Sequence, residues 1–584
     1  MKEKWVVKNK KADFNTLAAK FSLDPLTVKL IMNRGADTEE KIAQYLSDDM
    51  SILHDPSLLK DGEKAAAILA EAVKSGRKIA VAADYDCDGI FSGWIIRRAL
   101  EMTGTPVCVL VPDRLTEGYG MNRRIVDDAA AFGAGLILTC DNGISCFDAI
   151  DYAASLGIPV VVSDHHETVR EDGQERLPGA LAVVDPKQSG CGYPFPGICG
   201  AFVAYKLMQL LFRQLERDAK ELEPLALFAA IATVTDVMDL TDENRALVKF
   251  GLKALAGTEL PGLRVLLQLC QLEGKKLNAM HLGFRLGPCF NAAGRLENVA
   301  QVFALLEAGS EEEARPLAEK LLALNEERKR LTQIGVAEAE KLIAESGSAD
   351  RVLVLHMPDL HESIAGIVAG RVREMTGKPS IVLTGSGELA KGSGRSVPAY
   401  NMFEALTACK NTLIGFGGHA MAAGLSLNTA DIPALRAALN EKAELTKEDL
   451  MPVVSIDALM PPEYATPKLI RELELLEPFG KGNEKPLFAR PDLELVDLKV
   501  LGEKRNAVRF HFRVIGGGKQ EGIWFGDAAQ IEQMIKESYG EKAYTALERK
   551  QKAFPAALTY VPTLNEYGGK VGIQFRIQNI VPKV

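Results

Sequence analysis

The 584-residue sequence predicts a multidomain α/β protein: a parallel-sheet domain, a long connecting helix, a second α/β domain and a C-terminal β-barrel. Three observations predict it. Short apolar runs alternate with helical stretches through the first half, as strands joined by crossover helices do. A segment rich in Glu, Lys, Ala and Leu follows, with apolar residues at helical spacing. From about residue 450 apolar and polar residues alternate one by one, as half-buried strands require. The length also exceeds what one core serves, so three or more domains are expected.

Residues 1–60 read as an N-terminal helical segment broken at Pro25, Gly35 and Pro56. Residues 61–300 carry the parallel sheet. Apolar runs at 78–83, 135–140, 159–163 and 180–184 end in Asp84-Tyr85-Asp86-Cys87-Asp88-Gly89, Asp141-Asn142-Gly143, Asp164-His165-His166 and Asp185-Pro186. A helix is expected over 201–215, with Val203, Leu207, Leu210, Leu211 and Leu215 on one face, and the apolar stretch 225–234 leads into Asp236 and Asp239. Residues 301–345 read as the connecting helix, interrupted near Pro316. Within 346–449 a strand (351–355), a helix (362–375) and a strand (380–383) precede two glycine-rich segments, 392–396 and 415–419. Within 450–584, Val508, Phe510, Phe512 and Val514 alternate with polar residues, as do Val571, Ile573, Phe575 and Ile577. Tyr567-Gly568-Gly569 reads as a hairpin turn and the whole as a small closed barrel.

The net charge of −9 and pI near 5.6 exclude a protein coated in basic surface, though not a local basic groove. Nine cysteines without a Cys-x-x-Cys pair exclude a zinc ribbon and a thioredoxin-like motif. The N-terminus lacks a signal-peptide core and no apolar run spans a bilayer, so a cytoplasmic protein without membrane association is expected.

Parallel sheets bind ligands at the carboxyl ends of their strands. Here those ends gather carboxylates and an imidazole pair. Asp84, Asp86 and Asp88 have the period-two spacing that, on an extended backbone, directs all three to one side, where their repulsion calls for a cation. Against that reading stands a solvated acidic turn, or an N-cap for a helix starting near Ile90, and for this cluster the cation site is the stronger of the two. Asp141-Asn142-Gly143 alone reads as a turn rather than a ligand, and Asp164-His165-His166 alone fits a helix cap beside surface imidazoles as well as it fits a ligand site. Together they form the ligand set of a divalent-metal hydrolase, with oxygen-rich ligands suited to Mn²⁺ or Mg²⁺. Ser393 and Arg395 around Gly394, and His419 after Gly417-Gly418, fit a phosphate site or packing glycines in a turn. His54, His281, His356, His361 and His511 read as structural. Phe510, Phe512 and Phe575 read as barrel core rather than base-stacking surfaces, and Trp524 and Phe525 fit either role.

DYDCDG, DNG, SDHH, VVDP, TDVMDL, NAAGRL, GSGRS, GGHAMAAG and LEPFGKGN occur in this order. The set resembles the DHH phosphoesterase superfamily and, within it, the bacterial RecJ single-strand exonucleases, from about residue 50 to the end. The resemblance implies a DHH domain, a DHH-associated domain and an OB-fold-like barrel. It implies a 5′-to-3′ exonuclease that hydrolyses single-stranded DNA to mononucleotides in DNA repair and recombination. It implies two Mn²⁺ or Mg²⁺ ions held by Asp84, Asp86, Asp88, Asp141, His165 and Asp236, with Asp141 bridging. Asp164 would orient the imidazoles, His166 would face the scissile phosphate, and His419 would join the catalytic cleft. Arg114, Ser393 and Arg395 would clamp the 5′-phosphate, and Asn291 and Arg295 would line the DNA cleft. A helicase and a single-strand-binding protein are the implied partners. Cys289 stands where an Arg is expected, Leu360 where a Trp is expected, and Asp239 where a Pro is expected. Two other functions stay open: a phosphodiesterase for short oligonucleotides or cyclic dinucleotides, and an inactive DNA-binding scaffold.

Overall fold

The computed structural model describes residues 3–346, 350–514, 517–567 and 570–583. Its contacts divide into one unit spanning Asp48–Pro452 and a second joining Lys2–Ser47 to Val453–Val584.

The first unit opens on a five-stranded, all-parallel sheet. Its order is Val107–Leu110, Ile79–Ala83, Leu136–Cys140, Val160–Ser163, Ala182–Val184, with Leu136–Cys140 at the centre. The strands read as unbroken apolar runs because both faces are covered. The helices Cys87–Met102, Gly200–Gln214 and Ala226–Thr235 pack on one face, and Arg123–Phe132 and Phe147–Ser155 on the other. Helix Gly200–Gln214 is buried nearly all round, more deeply than its single apolar face suggested. A buried ion pair, Lys206 Nζ to Glu243 Oε2 at 2.9 Å, ties it to helix Asp242–Ala256. Glu243 also accepts from His54 N–H at 3.1 Å and from the Tyr193 hydroxyl.

The connecting element differs from expectation. A short helix, Ala300–Glu307, ends before Gly309, and one continuous helix then runs from Glu311 to Ser346 through Pro316. Pro316 lies in the second turn, so its missing N–H removes only one early helical bond. The break falls at 308–310 instead. The second lobe is a mixed sheet in the order Gly415–His419, Ala422–Asn428, Leu389–Arg395, Ser380–Thr384, Leu353–His356, backed by helix Ala365–Thr376. Both glycine-rich segments are therefore strands, not turns. Their glycines let neighbouring chains approach: a Cβ on Gly392 would lie 2.3 Å from the Val382 carbonyl oxygen.

In the second unit, Phe488–Leu501 pairs with both Ala507–Val514 and Phe554–Tyr567. Lys519–Phe525 and Lys570–Pro582 complete a closed five-stranded barrel. Phe510, Phe512 and Phe575 fill its interior, as alternation predicts, while Phe525 is exposed under Arg576. Gly568 and Gly569 of the expected hairpin turn lie outside the described residues. The chain's beginning is not purely helical: Lys4–Val7 is a strand parallel to Val453–Ile456. Three helices follow, capped by Asp13, Asp24 and Thr38, and they join the barrel's core. Glu472 accepts from Asp24 N–H at 2.8 Å and from the Thr27 hydroxyl at 3.0 Å, and Arg34 pairs with Asp457 at 3.3 Å.

Candidate metal centre and phosphate clamp

The carboxyl ends of three central strands converge. Asp86 is the N-cap of a helix that begins at Cys87, not near Ile90, and its side chain accepts from Asp88 and Gly89 N–H at 2.9 and 3.1 Å. Asp84, Asp86 and Asp88 are thus not one extended stretch, and the turn distributes them. Asp84 and Asp86 group with Asp141, while Asp88 groups with His165 and Asp236, ligand atoms within each trio lying within 4.8 Å of one another. The trios meet where His165 Nε2 stands 3.1 Å from Asp141 Oδ1, and 3.5 and 3.8 Å from Asp88 and Asp236.

Close approaches build this turn. Asp88 accepts from Gly200 and Ala201 N–H, both at 2.7 Å, at the start of helix Gly200–Gln214. A Cβ on Gly200 would lie 2.7 Å from Asp141 Cβ, and one on Gly89 would lie 2.5 Å from the Asp84 carbonyl oxygen. Asp141 itself has φ of 60°, a left-handed conformation that costs energy outside glycine. Asn142 is wholly buried and structural, donating to Ala82 and Cys140 carbonyls at 3.0 and 2.9 Å. Asn291, expected to face DNA, uses its Oδ1 to accept from Cys87 N–H at 2.8 Å, so it supports the ligand turn.

Burial and then mutual repulsion raise the pKa of Asp84, Asp141 and Asp236 well above the carboxylate range, and that of Asp88 to about 6. Burial, reinforced by the neighbouring His166, lowers His165 to about 3, so it is a neutral imidazole. Asp84 Oδ1 and Asp141 Oδ1 are buried without a hydrogen-bond donor among the described residues. Orphaned oxygens, crowded carboxylates and one neutral imidazole are a donor set that a divalent cation satisfies, so the residues fit Mn²⁺ or Mg²⁺.

Asp164, fully buried, organises the histidine pair. It accepts from His165 N–H, His166 N–H and Ile144 N–H at 2.7, 3.2 and 3.0 Å, and from His166 Nδ1 at 2.8 Å. It therefore orients the His166 ring, but only the backbone of His165. Burial opposes charge on His166, yet the bond and charge of Asp164, with Asp236 and Asp88 beyond, outweigh it and raise the pKa to about 9. Tyr119, not anticipated as a site residue, stands 3.0 Å from His166 Nδ1 and donates to the Asp141 carbonyl at 2.8 Å.

The second lobe closes over this edge. Arg395 and Ser393, two apart on one strand face, are joined by an Arg395 Nη1 to Ser393 Oγ bond of 2.7 Å. Gly366 on the facing helix leaves them room, since a Cβ there would lie 2.7 Å from Arg395 Nη2. Arg114 stacks on Tyr85, its guanidinium carbon 4.7 Å from the ring centre. Arg295 donates to the Ser363 carbonyl at 2.8 Å, and burial and then Arg114, with Arg328 and Arg395, depress its pKa to about 9. Arg395 is likewise lowered by burial and then Arg114. Three half-buried arginines, none in a direct ion pair among the described residues and with Asp84 and Asp86 the carboxylates whose charge reaches them, are a site for a polyanion. Gly394 and Gly200 had no site role in the sequence reading. Gly394 faces away, against Met402. His419 is exposed at the end of its strand, its pKa lowered by burial and by the charge of Arg395, with His166 among the groups it senses. Cys289 is buried, and its sulfur meets Asn325 Nδ2 at 3.7 Å. The other histidines have structural partners: His511 with Asp497 at 2.6 Å, His356 with the Gly385 carbonyl at 3.0 Å, and His361 with Ser363 at 2.8 Å.

Family models match in chain order: the DHH family N-terminal domain over residues 78–233, the DHHA1 domain over 349–445 and the RecJ OB domain over 456–579. The single-stranded-DNA-specific exonuclease RecJ of Bacillus subtilis is 34% identical over 88% of this chain, which spans 64% of that relative's length. The Escherichia coli protein of the same name is 34% identical over 96% of both chains. The Mn²⁺ complex of RecJ from Thermus thermophilus superposes with a TM-score of 0.81 at 27% identity, covering all of this chain and 80% of that one. That protein's Mg²⁺ complex gives 0.75 at 26% identity, over 100% and 79% of the two chains. With matching domains in matching order and 34% identity across nearly the full length of a curated member, this chain belongs to the RecJ family of single-stranded-DNA-specific exonucleases.

Proposed function

We propose that the chain hydrolyses single-stranded DNA stepwise from its 5′ end, releasing mononucleotides, and serves DNA repair and recombination. One observation carries this reading: two ligand trios meeting at Asp141 and His165, beside a three-arginine cluster. Asp84, Asp86 and Asp141 would hold one divalent cation, and Asp88, His165 and Asp236 a second, with Asp141 between them. When bound, Mn²⁺ or Mg²⁺ supplies Lewis-acid stabilisation of the phosphoryl oxygens and a lowered pKa for the attacking water.

The chain's own groups do the rest. Asp164 holds His166 by Nδ1, leaving Nε2 for the substrate. The bond and charge of Asp164 favour the protonated ring, ready to donate to an oxygen as negative charge builds there. Arg114, Ser393 and Arg395, with Arg295 behind them, receive the 5′-terminal phosphate, whose extra ionisable oxygen distinguishes it from an internal diester. Asn291 holds the ligand turn through Cys87, and His419 adds a polar group from the second lobe. The barrel offers the small closed scaffold on which single strands are gripped by basic and aromatic contacts. A helicase that opens duplex and a single-strand-binding protein are the proposed partners. The proposed compartment is the cytoplasm, which suits nine free thiols. No helix among the described residues is long and apolar enough to cross a membrane.

The test is digestion of a 3′-labelled, 5′-phosphorylated single strand with Mn²⁺, beside a blunt duplex and the Asp141→Ala variant. A ladder shortening from the 5′ end, absent from both controls, is expected. Shortening from the 3′ end, or equal digestion of the duplex, would overturn the reading.

A further inference from the structure

One feature of the first unit has no role in the chemistry above. Between helices Glu311–Ser346 and Ala365–Thr376 lies a groove of about 590 Å³, within the size range of ligand sites. Its lining includes Phe284, Arg328, Lys329, Glu340, Ile367 and Arg371, three cations against one carboxylate. Phe284 is 74% exposed. It sits on a π-helical turn, Leu282–Leu286, an irregularity that is rare and concentrated at functional positions.

Arg328 is held in an unusual way. Its Nε and Nη2 donate at 3.1 and 3.0 Å to Oδ1 of Asn325, a side chain only 1% exposed. Burying an amide is tolerated only where its bonds are made. This one orients a guanidinium without neutralising it, as a carboxylate would. Lys329 and Arg371 pair with Glu326 and Glu374 at 2.7 and 2.9 Å, exposed pairs that a phosphate can readily displace.

The groove and the phosphate clamp share one helix: Gly366 faces Arg395 and Ser393, while the next residue, Ile367, and Arg371, one turn beyond it, line the groove. On the other wall the charge of Arg328 reaches Arg295.

We propose that this groove is a further single-strand subsite, in which a base stacks on Phe284 while Arg328 and Arg371 pair with backbone phosphates on the 3′ side of the scissile bond. The inference rests on the proposed exonuclease reading and deepens it. The cations select a polyanion, the exposed ring adds a stacking face, and stacking with charge is how single strands are held without regard to sequence.

The test uses the full chain and a fluorescent 20-nucleotide strand whose 5′ linkages are uncleavable phosphorothioates. Binding is followed by anisotropy across a salt series, beside cleavage of a 5′-phosphorylated dinucleotide. Phe284→Ala should weaken strand binding about five- to a hundredfold. Arg328→Ala should weaken it and reduce the salt slope by about 0.7, the loss of one single-strand phosphate contact. Arg328→Lys should keep the slope. Both alanine variants should cleave the dinucleotide at the parent rate; Phe284→Ala should keep the parent melting temperature, whereas Arg328→Ala, which strips the buried Asn325 Oδ1 of its donors, should melt lower. Phe284 is exposed, so its truncation leaves the core intact. Unchanged strand affinity, equal loss on the dinucleotide, or binding of free mononucleotide in place of the strand would each overturn the proposal. Failure of the parent chain to bind or cut any strand would instead overturn the exonuclease reading.

Discussion

The sharpest single perturbation of the metal centre is Gly200→Ala, a residue that carries no ligand. The added methyl would meet Asp141 Cβ at 2.7 Å, Asp141 Oδ1 at 2.9 Å and Asp141 Cα at 3.0 Å. Ordinary carbon contacts begin near 3.4 Å, so helix Gly200–Gln214 and the Asp141 turn must part by about 0.7 Å, against the roughly 0.2 Å that a metal site allows its ligands. Asp141 cannot yield alone, because its backbone is already held at positive φ. Nor can the helix, because Gly200 and Ala201 donate to Asp88, a member of the other trio. Both trios are therefore disturbed together. Helix propensity opposes the effect by at most about 1 kcal/mol, whereas overpacking costs about 1–3 kcal/mol. The variant should fold, melt slightly lower and bind Mn²⁺ about 10- to 100-fold more weakly, the size of effect seen when a ligand's support is lost. Calorimetric titration of the metal-free protein reads this directly. A variant with parent affinity for both ions would refute the claim that the close approach at Gly200 sets the ligand geometry.

Three further outcomes follow from the same contacts. Asp164→Asn removes the charge that holds His166 near 9, so its imidazole should titrate lower by NMR; an unshifted titration would assign the elevation elsewhere. In the parent, a folded-state pKa above the unfolded one means that His166 contributes stability below about pH 6.5 that is lost as pH rises through about 9. The buried carboxylates must lose protons to bind metal, and Asp88 stands near 6 with Asp84, Asp141 and Asp236 also raised. Metal affinity should accordingly climb from pH 5 to 7 with proton release, measured by calorimetry in buffers of different ionisation heat; a flat profile would exclude protonated apo ligands. Lys206→Met strands the buried Glu243 charge and should cost about 3–5 kcal/mol in denaturant unfolding. The double variant Lys206→Met/Glu243→Leu should recover much of that loss; no recovery would mean that packing, not charge, is what the pair provides.

What could be read from the sequence, and what could not, divides along physical lines. A parallel sheet buried on both faces writes itself as unbroken apolar runs, and its ligand-bearing ends lie at the carboxyl end of each run. Asp84, Asp141 and Asp164 were visible for that reason, whereas Asp236, the C-cap of helix Ala226–Thr235, was reached only through the family resemblance. The alternation of Phe510 and Phe512 announced the barrel in the same way. Contacts made by the absence of atoms were not visible. Gly200 and Gly366 act by leaving room for Asp141 and Arg395, and a glycine's sequence neighbours do not reveal which distant backbone approaches it. The membership of residues 3–47 was hidden for a related reason. Their helical pattern is local, but their partners, Glu472, Asp457 and Asn483, lie more than 400 positions away. The turn after Ile79–Ala83 shows how a correct destination can rest on the wrong geometry. Period-two spacing suggested three carboxylates on one extended face. Asp86 instead caps a helix, and that cap rotates Asp88 away from Asp84 and toward His165. An extended strand would have loaded three like charges onto one side. Starting the helix at Cys87 divides them between two trios, and Asp141, held at positive φ by its turn, is left between the pair.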